Sequence, residues 1–154
     1  QAMTAAGVAV TGQPIPQGSM KKANHGGLIA SNDKLLRPWR KKIVASVRSQ
    51  VPGTFPIFER HAPVIVTAVF TVSAPQNARK TIPNYPAKKP DLDKLLRALF
   101  DGISDSGLWV DDGQATRLRD VFKTYPSHVL GADDLAMDEP GVRVLLTQAG
   151  ELRG

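Results

Sequence analysis

Six aspartates lie within residues 88–114, a run that reads KKPDLDKLLRALFDGISDSGLWVDDGQ. Asp91 and Asp93 flank a single leucine just after Pro90, which keeps the preceding residue extended, and a helix begins there. In extended chain, residues two apart point the same way, whereas on a helix they diverge by about 200°. A carboxylate pair at this boundary can therefore converge on one point.

A second acidic point, Asp111-Asp112-Gly113, lies on a predicted turn. Carboxylates from two segments are hard oxygen donors, which suit Mg²⁺ or Mn²⁺ rather than zinc. Such a metal can activate water and stabilise charge on a phosphoryl oxygen. Simpler interpretations stay open: Asp91 or Asp93 as a helix cap, and Asp111-Asp112-Gly113 as an ordinary hairpin turn. We expect Asp101 and Asp105 to be the solvated end of the helix.

The formal net charge is +6, and it is unevenly distributed. Residues 1–90 carry thirteen Lys and Arg against two acids, whereas residues 91–154 carry seven against twelve. Clustered cations of this kind are typical of proteins that bind a polyanion, because they release its counterions. The absence of Cys excludes thiolate metal sites and fits a reducing cytoplasm. No apolar run approaches the roughly 20 residues that span a bilayer, so we expect no membrane partner.

The hydrophobic periodicity predicts a single α+β (mixed α/β) domain over residues 1–154, with a small mixed sheet and two main helices. We expect residues 1–7 to be disordered or derived from a tag, and basic loops at 13–31 and 73–90. The predicted strands are 8–11, 63–72, 115–125 and 141–147, and the predicted helices are 35–49, with Pro38 in its first turn, and one from Leu92 to near Gly102 or Ser104. The segment 63–72 is apolar on both sides, which indicates a central strand. Alternation in 115–125 predicts one basic face with Arg117, Arg119 and Lys123.

The acidic run resembles the RusA family of Holliday junction resolvases, endonucleases common in phages and prophages. The family pattern is basic-Pro-Asp-x-Asp-Asn-x-x-Lys, an Asp at the helix end, and Asp-Asp-x-Gln after a short turn. Here it stands as Lys89-Pro90-Asp91-Leu92-Asp93-Lys94-Leu95-Leu96-Arg97, then Asp101, then Asp111-Asp112-Gly113-Gln114. The resemblance covers about residues 8–147.

The resemblance implies a homodimeric, Mg²⁺-dependent enzyme (Mn²⁺ as a substitute) that resolves four-way DNA junctions by paired nicks in recombination and repair. It implies that Asp91, Asp93 and Asp112 bind metal and act in catalysis, with Asp111 ranked second. Arg97 stands where the family has a catalytic Lys, and Lys94 stands where it has Asn; Arg keeps the charge but cannot transfer a proton. The residues expected to contact DNA are Lys21, Lys22, Arg79, Lys80, Lys88, Lys89, Lys94, Arg117, Arg119 and Lys123.

Two other interpretations stay open at this point. The first is a non-catalytic relative that binds branched DNA through a drifted site, which the changes at Lys94 and Arg97 favour. The second is an Asp-x-Asp sugar-nucleotide transferase, for which the chain is short and has no visible nucleotide-binding loop.

Overall fold

The structure, a computed structural model, describes residues 3–18, 20–22, 28–30 and 33–150. Its strands are β1 (Ala5–Thr11), β2 (Met20–Lys22), β3 (Leu28–Ala30), β4 (Val64–Thr71), β5 (Ala115–Thr124) and β6 (Gly141–Gln148). Its helices are α1 (Asp33–Gln50) and α2 (Leu92–Ser106), with a 3₁₀ turn at Asp112–Gln114. The predicted α+β class is confirmed. In the predicted basic loop 13–31, β2 and β3 pair antiparallel, and the side chains of Lys21 and Lys22 lie outside the described residues.

The main sheet has four strands in the order β1-β6-β4-β5. Strand β4 pairs antiparallel with β6 and parallel with β5, because α2 carries the chain back across the sheet between β4 and β5. It is an interior strand, as its apolar sequence predicts. Val64, Val66, Ala68 and Phe70 point to one face and are fully buried.

Both helices pack on that face of the sheet and form the core with it. Helix α1 contributes Trp39, Ile43 and Val47, and α2 contributes Leu95, Leu99 and Ile103. Gly102 lets the helices approach closely, since a Cβ there would lie 2.8 Å from a methyl carbon of Ile43. Neither described helix combines the length and apolarity needed to cross a bilayer.

Element boundaries differ from the predictions by two residues or more at three places. Helix α1 begins at Asp33, so Pro38 is the sixth helical residue and not, as predicted, in the first turn. Helix α2 continues to Ser106, past the predicted end near Gly102 or Ser104. It stops where Gly107 adopts the left-handed conformation (φ 77°) and donates its N–H to the Ser104 carbonyl. Strand β1 begins at Ala5, three residues before the predicted strand.

The predicted single basic face of β5 is wrong, because a bulge interrupts its alternation. Val66 pairs with Leu118 while Ala68 pairs with Val121, so β5 has one extra residue between these two pairs, and Asp120 there has a φ of 53°. An extra residue sends the following side chains to the opposite face. Lys123 therefore pairs with Phe70 on the helix-covered face, whereas Arg117 pairs with Ile65 on the other face.

Candidate active site

The predicted carboxylate pair lies at the beginning of α2. Asp91 occupies the N-cap position with extended backbone (φ −72°, ψ 135°), and its side chain makes no capping hydrogen bond. Asp93 lies in the first turn, and both side chains are exposed. A carboxylate that served only as a helix cap would accept a hydrogen bond from a backbone N–H. The Asp91 carboxylate is not used in this way, so it remains available for a ligand.

Lys123 holds the segment that leads into Asp91. Its Nζ donates hydrogen bonds to the carbonyl oxygens of Lys88 at 2.7 Å and Pro90 at 2.9 Å. The side chain is half-buried between β5 and this segment. Two of the three N–H bonds of the ammonium therefore serve the protein backbone. Lys123 was predicted as a DNA contact, but the structure gives it the geometry of a positioning residue.

Gln114 fixes the turn that carries the second acidic point. Its side chain is only 6 % exposed. The amide oxygen accepts hydrogen bonds from the N–H groups of Val110 (2.8 Å) and Asp111 (3.0 Å). The amide nitrogen donates to the carbonyls of Glu59 (2.8 Å) and Ala62 (3.1 Å). In the sequence, Gln114 was noted only as the last residue of the family motif. In the structure, its side chain connects the turn of Asp111 and Asp112 to the segment before β4 by hydrogen bonds.

Asp111 and Asp112 differ in their surroundings. The Asp111 carboxylate folds back over its own turn, where a Cβ on Gly113 would lie 2.9 Å from Oδ2. It lines a small groove together with Arg60 and His61. Asp112, in contrast, lies near enough to Asp101 for its charge to act on that carboxyl group. The ranking of Asp112 above Asp111 stays a prediction.

Of the two aspartates predicted to form the solvated end of the helix, Asp105 is exposed, whereas Asp101 is not fully solvated. Asp101 is half-buried, and desolvation raises the pKa of its carboxyl group; Arg40 and Arg97 oppose that rise, while Asp112 and Asp105 add to it. Asp105 receives two hydrogen bonds of 2.9 Å from the Arg40 guanidinium. The signal in the sequence was the four-residue spacing of Asp93, Arg97, Asp101 and Asp105, which forms one row along a helix.

The predicted metal-binding carboxylates do not converge on one point in the structure. Among residues 3–18, 20–22, 28–30 and 33–150, no three Asp, Glu or His side chains form a cluster that could hold a metal ion. By donor type the set fits a hard divalent cation, since Asp91, Asp93 and Asp112 are exposed carboxylates. Drawing three carboxylates together costs Coulomb energy, and a cation between them would offset it.

Several cations near these carboxylates in the sequence are exposed. Arg79, Lys80, Lys88 and Lys89 are all exposed in the loop before α2. The buried Asn84 orders this loop: its side chain accepts from the Arg79 N–H (2.9 Å) and donates to the Arg79 carbonyl (2.8 Å). Its backbone N–H donates to the Leu130 carbonyl at 2.8 Å. Lys94 is half-buried on α2, and Arg97, Arg117 and Arg119 are exposed.

An α+β domain that presents exposed carboxylates among lysines and arginines defines a protein that acts on a phosphate-bearing polyanion. The sequence model of the family described as endodeoxyribonuclease RusA matches residues 11–146. The chain belongs to this family, which confirms the resemblance of residues 88–114 and identifies an endodeoxyribonuclease. Nucleases of the family generally depend on a divalent metal and act on branched DNA. No curated protein matches the chain in a sequence search.

Proposed function

We propose that the chain is a structure-specific endonuclease that resolves four-way DNA junctions by paired phosphodiester hydrolysis, in DNA recombination and repair. Membership of the RusA family supports this proposal. The observation that carries it is the Asp91 carboxylate, which stands at the start of α2 without a capping hydrogen bond. Two exposed lysines, Lys88 and Lys89, lie directly before it, so one short segment can hold a phosphate beside an acidic site.

The residues of the site divide into two groups in this proposal. Asp91, Asp93 and Asp112 would hold Mg²⁺, with Mn²⁺ as a substitute, and the metal would supply an activated water and neutralise charge on the phosphoryl oxygen. Seven cations would hold the DNA backbone, all of them exposed except the half-buried Lys94; they are Arg79, Lys80, Lys88, Lys89, Lys94, Arg117 and Arg119. Lys21 and Lys22 stay predictions of the same kind.

Arg97 stabilises phosphate charge in this scheme and has no acid–base role. Its guanidinium stays protonated at every physiological pH, so it can donate hydrogen bonds to a phosphate but cannot take up a proton. It is exposed on α2 four residues after Asp93 and four before Asp101. A cation at that place lowers the repulsion between the carboxylates and the DNA backbone.

The substrate also determines the expected assembly. A four-way junction is close to two-fold symmetric, so two copies of the site related by a two-fold axis suit a pair of symmetric nicks. We therefore propose a homodimer as the active form.

A second candidate function is non-catalytic binding of branched DNA. Two observations favour it: Lys94 and Arg97 depart from the family motif, and no three carboxylates cluster in the described residues. Both candidates predict tight binding to junctions, and only the first predicts cleavage.

The test compares a synthetic four-way junction with a linear duplex of the same sequence, with and without Mg²⁺. The enzyme proposal predicts paired nicks in the junction that require the metal and are lost in Asp93→Asn. Tight junction binding without cleavage in either Mg²⁺ or Mn²⁺ contradicts it and supports the binding candidate. Equal affinity for the linear duplex contradicts both, because both require recognition of the branch.

A further inference from the structure

Strands β4 and β5 are parallel neighbours, so the loops that follow them leave the sheet at the same end. The first loop begins at Val72, whose N–H donates to the carbonyl of Thr124 (2.9 Å), the last residue of β5. The second loop begins at Tyr125. The carboxyl ends of neighbouring parallel strands are a common place for a ligand, because the loops that leave them enclose a crevice.

The space between these two loops is an open groove, which we call the β4–β5 groove. Its volume is about 620 Å³, within the range of pockets that hold a small ligand. Its lining includes Pro75, Arg79 and Lys80 from the first loop, and His128, Val129 and Leu130 from the second. Among the described residues that line the groove, none is acidic. The groove therefore combines apolar surface with positive charge.

The buried side chain of Asn84 connects the two walls of the groove. Its amide oxygen accepts a hydrogen bond from the Arg79 N–H (2.9 Å), and its amide nitrogen donates to the Arg79 carbonyl (2.8 Å). The same nitrogen donates to the Leu130 carbonyl (3.1 Å) on the second loop. Because one buried side chain is bonded to both walls, the groove has its shape before any ligand binds.

The polar side chains of the groove are available to a ligand. Arg79, Lys80 and His128 are all exposed. In the part of the chain that the structure describes, none of these three side chains makes a hydrogen bond or an ion pair. Arginine and lysine bind phosphate oxygens, and a histidine ring stacks on an unpaired base. One nucleotide offers both a base and a phosphate.

We infer that the β4–β5 groove binds one unpaired nucleotide at the branch point of the DNA. The base contacts His128, Val129 and Leu130, and the phosphate contacts Arg79 and Lys80. This inference rests on the proposed function and adds a base contact to the backbone contacts proposed there. A phosphate backbone alone suits the groove less well, because it would leave the apolar lining without a partner.

The test isolates the contact to the base by comparing two four-way junctions. At one branch-point position, the first junction carries a base opposite an abasic site, and the second carries abasic sites on both strands. Neither junction has a base pair to open at that position, so the difference in affinity measures contacts to the base. The comparison is repeated for each base pair that flanks the branch point.

The groove variant is His128→Ala with Leu130→Ala. We expect wild type to bind the first junction about tenfold more tightly than the second at one position or more, since contacts to one base contribute on that scale. We expect the groove variant to bind the two junctions equally. Equal affinities for wild type at every position overturn the inference, because the groove then makes no contact to a base.

The matched control is Ile82→Ala with Leu135→Ala, which also removes one side chain from each loop. Ile82 is 50 % exposed and Leu135 is 53 % exposed, against 47 % for Leu130, and neither control residue lines the groove. We expect the control to keep the wild-type preference for the unpaired base. An equal loss of preference in both double variants overturns the inference, because the effect then comes from exposed apolar surface in general.

The phosphate contact is tested separately by Arg79→Ala with Lys80→Ala. We expect this variant to lower the slope of log K against log salt by about 0.7–0.9 for each lost contact, and an unchanged slope overturns the phosphate part of the inference. The unpaired base is also placed in a linear duplex. Wild type that keeps its preference for the base but binds junctions no better than duplexes contradicts the proposed function and supports the groove. Wild type that prefers junctions but not the base contradicts the groove alone.

Discussion

The hydrogen bonds of the Gln114 side chain give a prediction about stability whose magnitude follows from the structure. Gln114→Met keeps the side-chain length but removes the four hydrogen bonds of 3.1 Å or shorter, to Val110, Asp111, Glu59 and Ala62. At about 1 kcal/mol each, the loss reaches about 4 kcal/mol. Water can reach the exposed residues Val110 and Asp111 and satisfy part of it, so we expect a loss of about 2–4 kcal/mol in the free energy of unfolding.

Urea unfolding with linear extrapolation measures this change. The control is Gln76→Met, at an exposed glutamine, for which we expect a change within about 0.5 kcal/mol. A change within about 0.5 kcal/mol for Gln114→Met would show that these hydrogen bonds contribute little to stability, contrary to this prediction. We also expect slower junction cleavage at saturating DNA, because Asp112 follows directly on the tied segment.

Three further predictions concern single side chains. Lys123→Met is expected to slow cleavage without changing the salt slope of DNA binding, because its ammonium is bonded to backbone carbonyls, whereas Lys89→Ala should lower the slope by about 0.9. Asp101→Asn is expected to raise stability relative to wild type as pH rises through the window between 3.8, the ordinary pKa, and the raised pKa of the folded state. Gly131→Ala is expected to destabilise the fold by about 1–3 kcal/mol, because φ is 101° and the new Cβ would lie 2.6 Å from the Asn84 nitrogen.

Each of these predictions has an outcome that would contradict it. A loss of salt slope in Lys123→Met equal to that in Lys89→Ala would make Lys123 a phosphate contact. For Asp101, the unfolded carboxyl loses its proton first as pH rises, so wild type loses stability in that window; a difference from Asp101→Asn that is independent of pH contradicts the raised pKa. Gly150 has a φ of 86° with open space around it, so an equal effect in Gly150→Ala would exclude the clash at Asn84.

The sequence predicts the elements well where one face is apolar. The stripe of leucines in α2 and the apolar run of β4 both lie where the periodicity places them. Hydrophobic periodicity does not show where a helix is capped. Helix α2 extends to Ser106 because Gly107, three residues after Ser104, can adopt the left-handed conformation. The bulge at Asp120 is also hidden in the alternation, and it separates Arg117 from Lys123.

The candidate site was likewise predicted only in part from the sequence. The positions of Asp91 and Asp93 at the beginning of α2 follow from local rules, since Pro90 and the leucine stripe fix where the helix starts. The role of Gln114 depends on backbone carbonyls that are 52 and 55 residues away in sequence. The role of Lys123 depends on carbonyls that are 33 and 35 residues away. No local pattern contains such partners, because they become neighbours only when the sheet forms.

The measurement that tests the account most directly compares Asp111→Asn with Asp112→Asn on a four-way junction in Mg²⁺. The two variants remove equal charge from adjacent residues of one turn, and of the two only the Asp112 charge helps to raise the pKa of Asp101. We expect paired nicks for wild type and Asp111→Asn, and none for Asp112→Asn at unchanged junction affinity. Paired nicking by Asp112→Asn at the wild-type rate, or a wild type that binds the junction but never cuts it, would contradict the account.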